Sequence, residues 1–104
     1  MTNAQQELLT VLDGIDKTPS DISWMLVYTT NYSEVSEAFT SIDQLDFTYD
    51  NGYGTQKLFG LVFFNDNTWL ERDEYDGNEW WVYITTPTRE QWEKQYEYYS
   101  DLYR

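Results

Sequence analysis

Between residues 45 and 85, apolar and polar positions alternate in short runs separated by turn-forming residues. Period 2 is the mark of strands, whose side chains point alternately to two faces. The pattern predicts four strands at about 45–49, 57–64, 68–75 and 79–85, with ends good to roughly 2–4 residues. In the first, Leu45, Phe47 and Tyr49 share a face opposite Asp46 and Thr48. In the third, Trp69, Glu71, Asp73 and Tyr75 alternate with Thr68, Leu70, Arg72 and Glu74. In the last, Trp80, Val82 and Ile84 oppose Glu79, Trp81 and Tyr83. The second, Leu58 to Phe64, is apolar on both faces, which suits a central strand covered on both sides at least in part. The turns set the register. Asp76-Gly77 predicts a type I′ hairpin, because both central positions need a positive φ. Asn65-Asp66-Asn67 predicts a similar turn without glycine, and Asp50 to Gly54 a longer loop.

Upstream the period changes. Ala4, Leu8, Leu9, Leu12 and Ile15 recur at helical spacing, predicting a helix over about 2–13 capped by Thr2 or Asn3, with Gly14 ending it. Residues 16–21, with Pro19, read as a loop. Residues 23–30 read as a strand, with Trp24, Leu26 and Tyr28 on one face and Met25 and Val27 on the other. Asn31 with Glu34 has the spacing of a capping box, and Ser33 is a rival cap. A short second helix is therefore expected, with Val35, Ala38, Phe39 and Ile42 facing inward and Glu34 and Glu37 near its N-terminus, where they favour the dipole. After Pro87, Thr88 and Gln91 cap a third helix reaching about Tyr103. Its stripe of Trp92, Tyr96, Tyr99 and Tyr103 is expected to pack on the sheet, with docking into a partner's groove as the alternative. The fold class is α+β in a single domain, 1–104: an antiparallel sheet of four to five strands (the 45–85 meander plus 23–30), with N-terminal, middle and C-terminal helices packed on it.

Composition then narrows the chemistry. At 104 residues the chain can bury a modest core, and 19% aromatic content compensates in area for 40% hydrophobic residues. Cysteine and histidine are both absent, which removes thiolate metal sites, the commonest metal ligand and the commonest general base. No Walker, GxGxxG or GxSxG motif occurs. Asp50-Asn51-Gly52 and Asp73 to Gly77 have calcium-ligand character but lack the twelve-residue loop and its closing Glu. A pair of carboxylates suited to glycosidase-type acid/base work is something any acid-rich small protein offers. The expectation is a non-enzyme with no cofactor and no metal. The start of the chain has no basic n-region, and no run approaches the ~18 apolar residues of a membrane span. A cytoplasmic protein, acting inside a host cell, is expected.

Charge is the outlying property. Nineteen acids against six bases leave a net charge of −13, so nucleic acid and anionic membranes repel the chain and basic surfaces attract it. Glu71, Asp73, Glu74, Asp76 and Glu79 crowd one hairpin, with Asp66 nearby and Arg72 the only base there. One reading is a solvated hairpin whose charges block edge-to-edge association. The other is a phosphate-like array. Alternate strand residues stand roughly 6.6 Å apart along a face. Phosphates of one DNA strand advance by about 3.4 Å of axis per nucleotide, with a longer through-space separation. Glu34, Glu37, Asp46 and Asp50 extend the acidic surface, or serve as cap and turn residues. Trp69 and Trp81 are expected to add contact area beside the hairpin acids.

Four runs carry a resemblance: Tyr49-Asp50-Asn51-Gly52-Tyr53-Gly54, Leu58-Phe59-Gly60, Thr68-Trp69-Leu70-Glu71-Arg72 and Glu74-Tyr75-Asp76-Gly77-Asn78-Glu79-Trp80-Trp81. With them, residues 45–81 resemble a segment of small bacteriophage proteins to which no activity is attached. In size and composition the chain is also similar to phage anti-defence proteins, including anti-CRISPR and DNA-mimic inhibitors. That likeness implies a basic nucleic-acid-binding protein as partner, a host defence complex or nuclease, and no direct contact with nucleic acid. The alternative is a non-mimetic protein-interaction module, a phage accessory or immunity-type protein that uses its aromatic patch.

Overall fold

The computed structural model describes residues 1–31, 34–52, 54–86 and 89–102. In chain order the elements are β1 (Thr2–Asn3), α1 (Ala4–Gly14), β2 (Ile22–Asn31), β3 (Glu34–Phe39), β4 (Thr48–Tyr49), β5 (Phe59–Phe64), β6 (Trp69–Tyr75), β7 (Asn78–Ile84) and α2 (Arg89–Leu102). Short 3-10 turns occupy Pro19–Asp21 and Ile42–Leu45. The class is α+β. Five antiparallel strands in the order β3-β2-β5-β6-β7 form the main sheet, and β1 pairs with β4 in a two-stranded ribbon.

The hairpin turns form where the turn residues predict them. Asp76 and Gly77 both take positive φ, 52° and 86°, so the β6–β7 ladder runs in register from Trp69 opposite Ile84 to Tyr75 opposite Asn78. In the β5–β6 turn Asn67 supplies the left-handed residue at φ 65°, as asparagine tolerates, and Phe64 N–H closes the loop on the Thr68 carbonyl at 2.9 Å. α1 begins at Asn3, whose side chain accepts from Gln6 N–H at 2.9 Å and donates to Asp46 at 3.0 Å.

α1 covers one face of the sheet. Ala4, Leu8 and Leu12 are buried, and they join Met25, Val27, Val62, Phe64, Leu70 and Trp81 in a single core. Each fully buried leucine contributes about 1.5–3 kcal/mol. Leu45 and Tyr49, on the segment after β3, close the core from the side.

Two expectations are corrected. The middle helix is a strand: β3 pairs with β2 from Asn31 opposite Glu34 to Val27 opposite Phe39, with a bulge between Thr29 and Thr30. The spacing of Val35, Ala38 and Phe39 fits a helix, but an isolated helix this short is marginal. The ten-residue β2 otherwise leaves a row of backbone groups without partners, and pairing satisfies them. Val35 and Ala38 are exposed, and the Phe39 ring meets Phe47 tilted at 32°, with centroids 5.1 Å apart. Second, the first strand of the expected meander does not join the main sheet. Only Thr48–Tyr49 is extended, and it pairs with β1. Of the expected α2 stripe, Tyr96 alone has a described side chain. Tyr96 is 74% exposed, and no described side chain of α2 enters the core. The side chains of Trp92, Tyr99 and Tyr103, like the Tyr32-Ser33 and Thr88 capping positions, lie outside the described residues.

Candidate partner-binding surface

Eight of the acids singled out above are exposed: Glu34, Glu37, Asp46, Asp50, Glu71, Asp73, Glu74 and Asp76. The fold sorts them into neighbouring groups. Glu37, Asp46, Asp50 and Glu74 line one open cleft of about 1220 Å³, together with Lys57, Phe47 and Phe59. Asp50 leads into Asn51 and Gly52, which bond to the β6–β7 hairpin. Gly52 N–H donates to the Gly77 carbonyl at 3.0 Å. The Asn51 side chain both donates to the Glu79 carbonyl at 2.8 Å and accepts from Glu79 N–H at 2.9 Å, as a neighbouring strand would. Asp76 therefore sits beside the same loop. Glu71 and Asp73 point to the opposite face of the sheet, where the Trp69 indole donates to Glu71 at 2.8 Å.

None of these eight takes part in an ion pair among the described residues. Four bases are engaged elsewhere. Lys17 pairs with Asp66 at 2.6 Å, Arg89 with Glu93 and Lys94 with Glu90. Arg72 is buried between Glu7 and Glu79, at 3.0 and 2.7 Å. The Asp66 carboxyl, bonded to Lys17 and then to Thr68, is held down at about 2, and the Lys17 ammonium is raised by the same bond.

Two expected surface residues are interior. Glu79 is 3% exposed. Its two oxygens accept from the N–H groups of Lys57 and Leu58 and from Arg72. A carboxylate in that position leaves water only because donors converge on both of its oxygens. Trp81 is 7% exposed, on the α1 side of the sheet, with the Arg72 guanidinium over its ring at 5.0 Å. Its indole N–H has no hydrogen-bond partner among the described residues. Neither residue is available to a partner. Burial alone would lower the Arg72 pKa, but the charges and bonds of Glu7 and Glu79 outweigh it and raise it above its usual value. Burial, and then its bond to Glu7, pushes the Tyr49 hydroxyl up.

Sequence reasoning missed the face opposite α1. There Trp24, Phe63 and Trp69 form a stacked row across β2, β5 and β6, with centroids 5.6 and 6.0 Å apart. Trp24 is 52% exposed and Trp80, opposite Asp73, is 40% exposed. The alternation showed which residues share a face; it did not show which face α1 leaves open.

Among the described residues no cluster of three or more metal-ligating side chains occurs, and no helix is long and apolar enough to cross a membrane. No protein-family model, curated protein or solved structure matches the chain.

Proposed function

We propose that this chain is a phage-type inhibitor that binds a basic nucleic-acid-binding surface of a host defence or nucleic-acid enzyme, in the place of DNA or RNA. The observation that carries the reading is the division of charge. Four of the five described basic side chains are spent on Asp66, Glu7, Glu79, Glu90 and Glu93, leaving Lys57 in the cleft, while seven exposed acids around the cleft, the hairpin and the open sheet face, and Glu34 at the start of β3, have no ion-pair partner among the described residues. Such a surface attracts a cationic groove over a Debye length of about 8 Å at physiological salt, and more strongly as salt falls. The protein works by occupancy, with no covalent chemistry.

The test is capture of a nucleic-acid-binding protein from bacterial lysate on immobilised protein. The complex is expected to dissociate as salt rises and to be displaced by duplex DNA. Reversing Asp73 and Glu74 together to lysine is expected to weaken it by about tenfold or more with the circular dichroism unchanged. Undiminished affinity in that double variant sinks the reading. The aromatic sheet face favours a second reading, a non-mimetic interaction module, whose binding tolerates salt and depends on the exposed indoles instead.

A further inference from the structure

The open sheet face carries more than apolar area. The row Trp24–Phe63–Trp69 lies nearly parallel ring to ring, with interplanar angles of 16° and 15°. Two carboxylates are set into the same face: Glu71, held by the Trp69 indole N–H, and Asp73, directly across from Trp80. The molecule shows elsewhere what this combination holds. On the covered face, Arg72 lies over Trp81 at 5.0 Å and over Tyr49 at 5.7 Å, with Glu79 and Glu7 bonded to its nitrogens. Lys17 lies over Phe64 at 4.9 Å with Asp66 on its ammonium. The open face repeats the arrangement of ring and carboxylate, and no described cation of the chain occupies it.

We infer that this face docks arginine side chains of a protein partner, each guanidinium stacked on an indole and bonded to Glu71 or Asp73. The inference rests on the reading of the chain as a binder of basic surfaces and specifies which cation it selects. Cross-strand neighbours stand about 4.8 Å apart and same-strand neighbours on a face about 6.6 Å apart. A planar guanidinium resting on Trp69 or Trp80 therefore reaches the carboxylate beside it. Arginine suits this site better than lysine, because its fork bonds a carboxylate through two N–H groups while its weakly hydrated plane lies on the ring. A second copy of the chain is the poorer occupant, since it would bring Glu71 and Asp73 against their own kind with −13 on each molecule.

The test compares peptides of about ten arginines and ten lysines as probes, followed by calorimetry and by the indole N–H resonances of the unaltered protein. The arginine peptide is expected to bind about fivefold or more tightly than the lysine peptide. The indole signals of Trp24, Trp69 and Trp80 are expected to move most, and replacing Trp24, Trp69 and Trp80 together by leucine is expected to bring the arginine peptide down to the affinity of the lysine peptide. Equal affinity for the two peptides, or unmoved indole signals, overturns the inference. In that outcome the charge-driven reading survives if the Asp73 and Glu74 reversal still releases the captured partner, so the two failures are distinguishable. A dimer in sedimentation that buries these indoles in the absence of peptide also overturns it.

Discussion

Arg72 and Glu79 lock β6 to β7 from the buried side of the sheet: Nη2 and Nε of the arginine both bond to Oε1 of the glutamate, at 2.7 and 3.0 Å. Both side chains are essentially without solvent contact. Glu7 of α1 takes another of the arginine's N–H groups, so one guanidinium joins helix and sheet. Removing one partner strands the others without water. Arg72→Ala is expected to cost about 3–5 kcal/mol in urea unfolding, far more than an exposed ion pair contributes. Glu79→Gln is expected to lie close behind, because the N–H groups of Lys57 and Leu58 lose an anionic acceptor. A loss under about 1 kcal/mol for both would show that the network is not structural.

The backbone imposes a second constraint at Gly60. Its φ is 132°, and a Cβ there would fall 2.1 Å from the Leu26 carbonyl oxygen of the neighbouring strand. Main chain cannot yield as a side-chain tip can. Gly60→Ala is expected to destabilise the protein by at least about 2 kcal/mol, from strain and overpacking together. Thermal unfolding measures it, and an unchanged midpoint would contradict the geometry.

Trp81 makes the opposite kind of prediction. Its indole N–H is buried without an acceptor among the described residues, so the ring's contribution is its area and its stacking on Arg72. Trp81→Phe gives up some area but also removes an unpaired donor, and is expected to fall within about 1 kcal/mol of the parent. Trp81→Ala is expected to lose about 3–5 kcal/mol. Equal losses in the two variants would mean the N–H is satisfied in solution.

The Lys17–Asp66 pair sets a dependence at both ends of the pH range. Asp66 has a folded pKa near 2, below its ordinary 3.8. Its contribution is therefore complete above about pH 4 and is lost as pH falls toward 2. Lys17 is raised above its ordinary 10.5, so its share is complete below that value and fades as pH climbs past it. Tyr49, whose hydroxyl is raised by burial and by Glu7, adds a loss of stability in the same alkaline range, beginning near pH 10. Asp66→Asn is expected to flatten the acid limb of a stability-against-pH curve measured by urea unfolding. An acid limb identical to the parent's would exclude the pair as a cause.

Local chemistry was legible wherever a residue's own conformational limits decide the outcome. Asp76-Gly77 specifies a turn with positive φ at both centres, Asn67 tolerates a left-handed bend, and the 4-8-12 spacing of α1 defines a buried stripe, so the three C-terminal strands and the first helix could be read directly from the sequence. Tertiary structure decided whatever depends on a distant partner. Residues 34–39 carry helical spacing, yet they are extended because β2 supplies a long edge of unpaired backbone groups. Alternation marked the two faces of β6 and β7 but could not say that α1 covers the face holding Arg72, Glu79 and Trp81 while leaving Trp24, Trp69 and Trp80 open. Glu79 is buried because Arg72 and two backbone N–H groups converge on it from two distant parts of the chain, and such convergence leaves no pattern along the sequence. Net charge could be counted from composition alone. Which carboxylates have no ion pair among the described residues was decided by where the fold places the few cations.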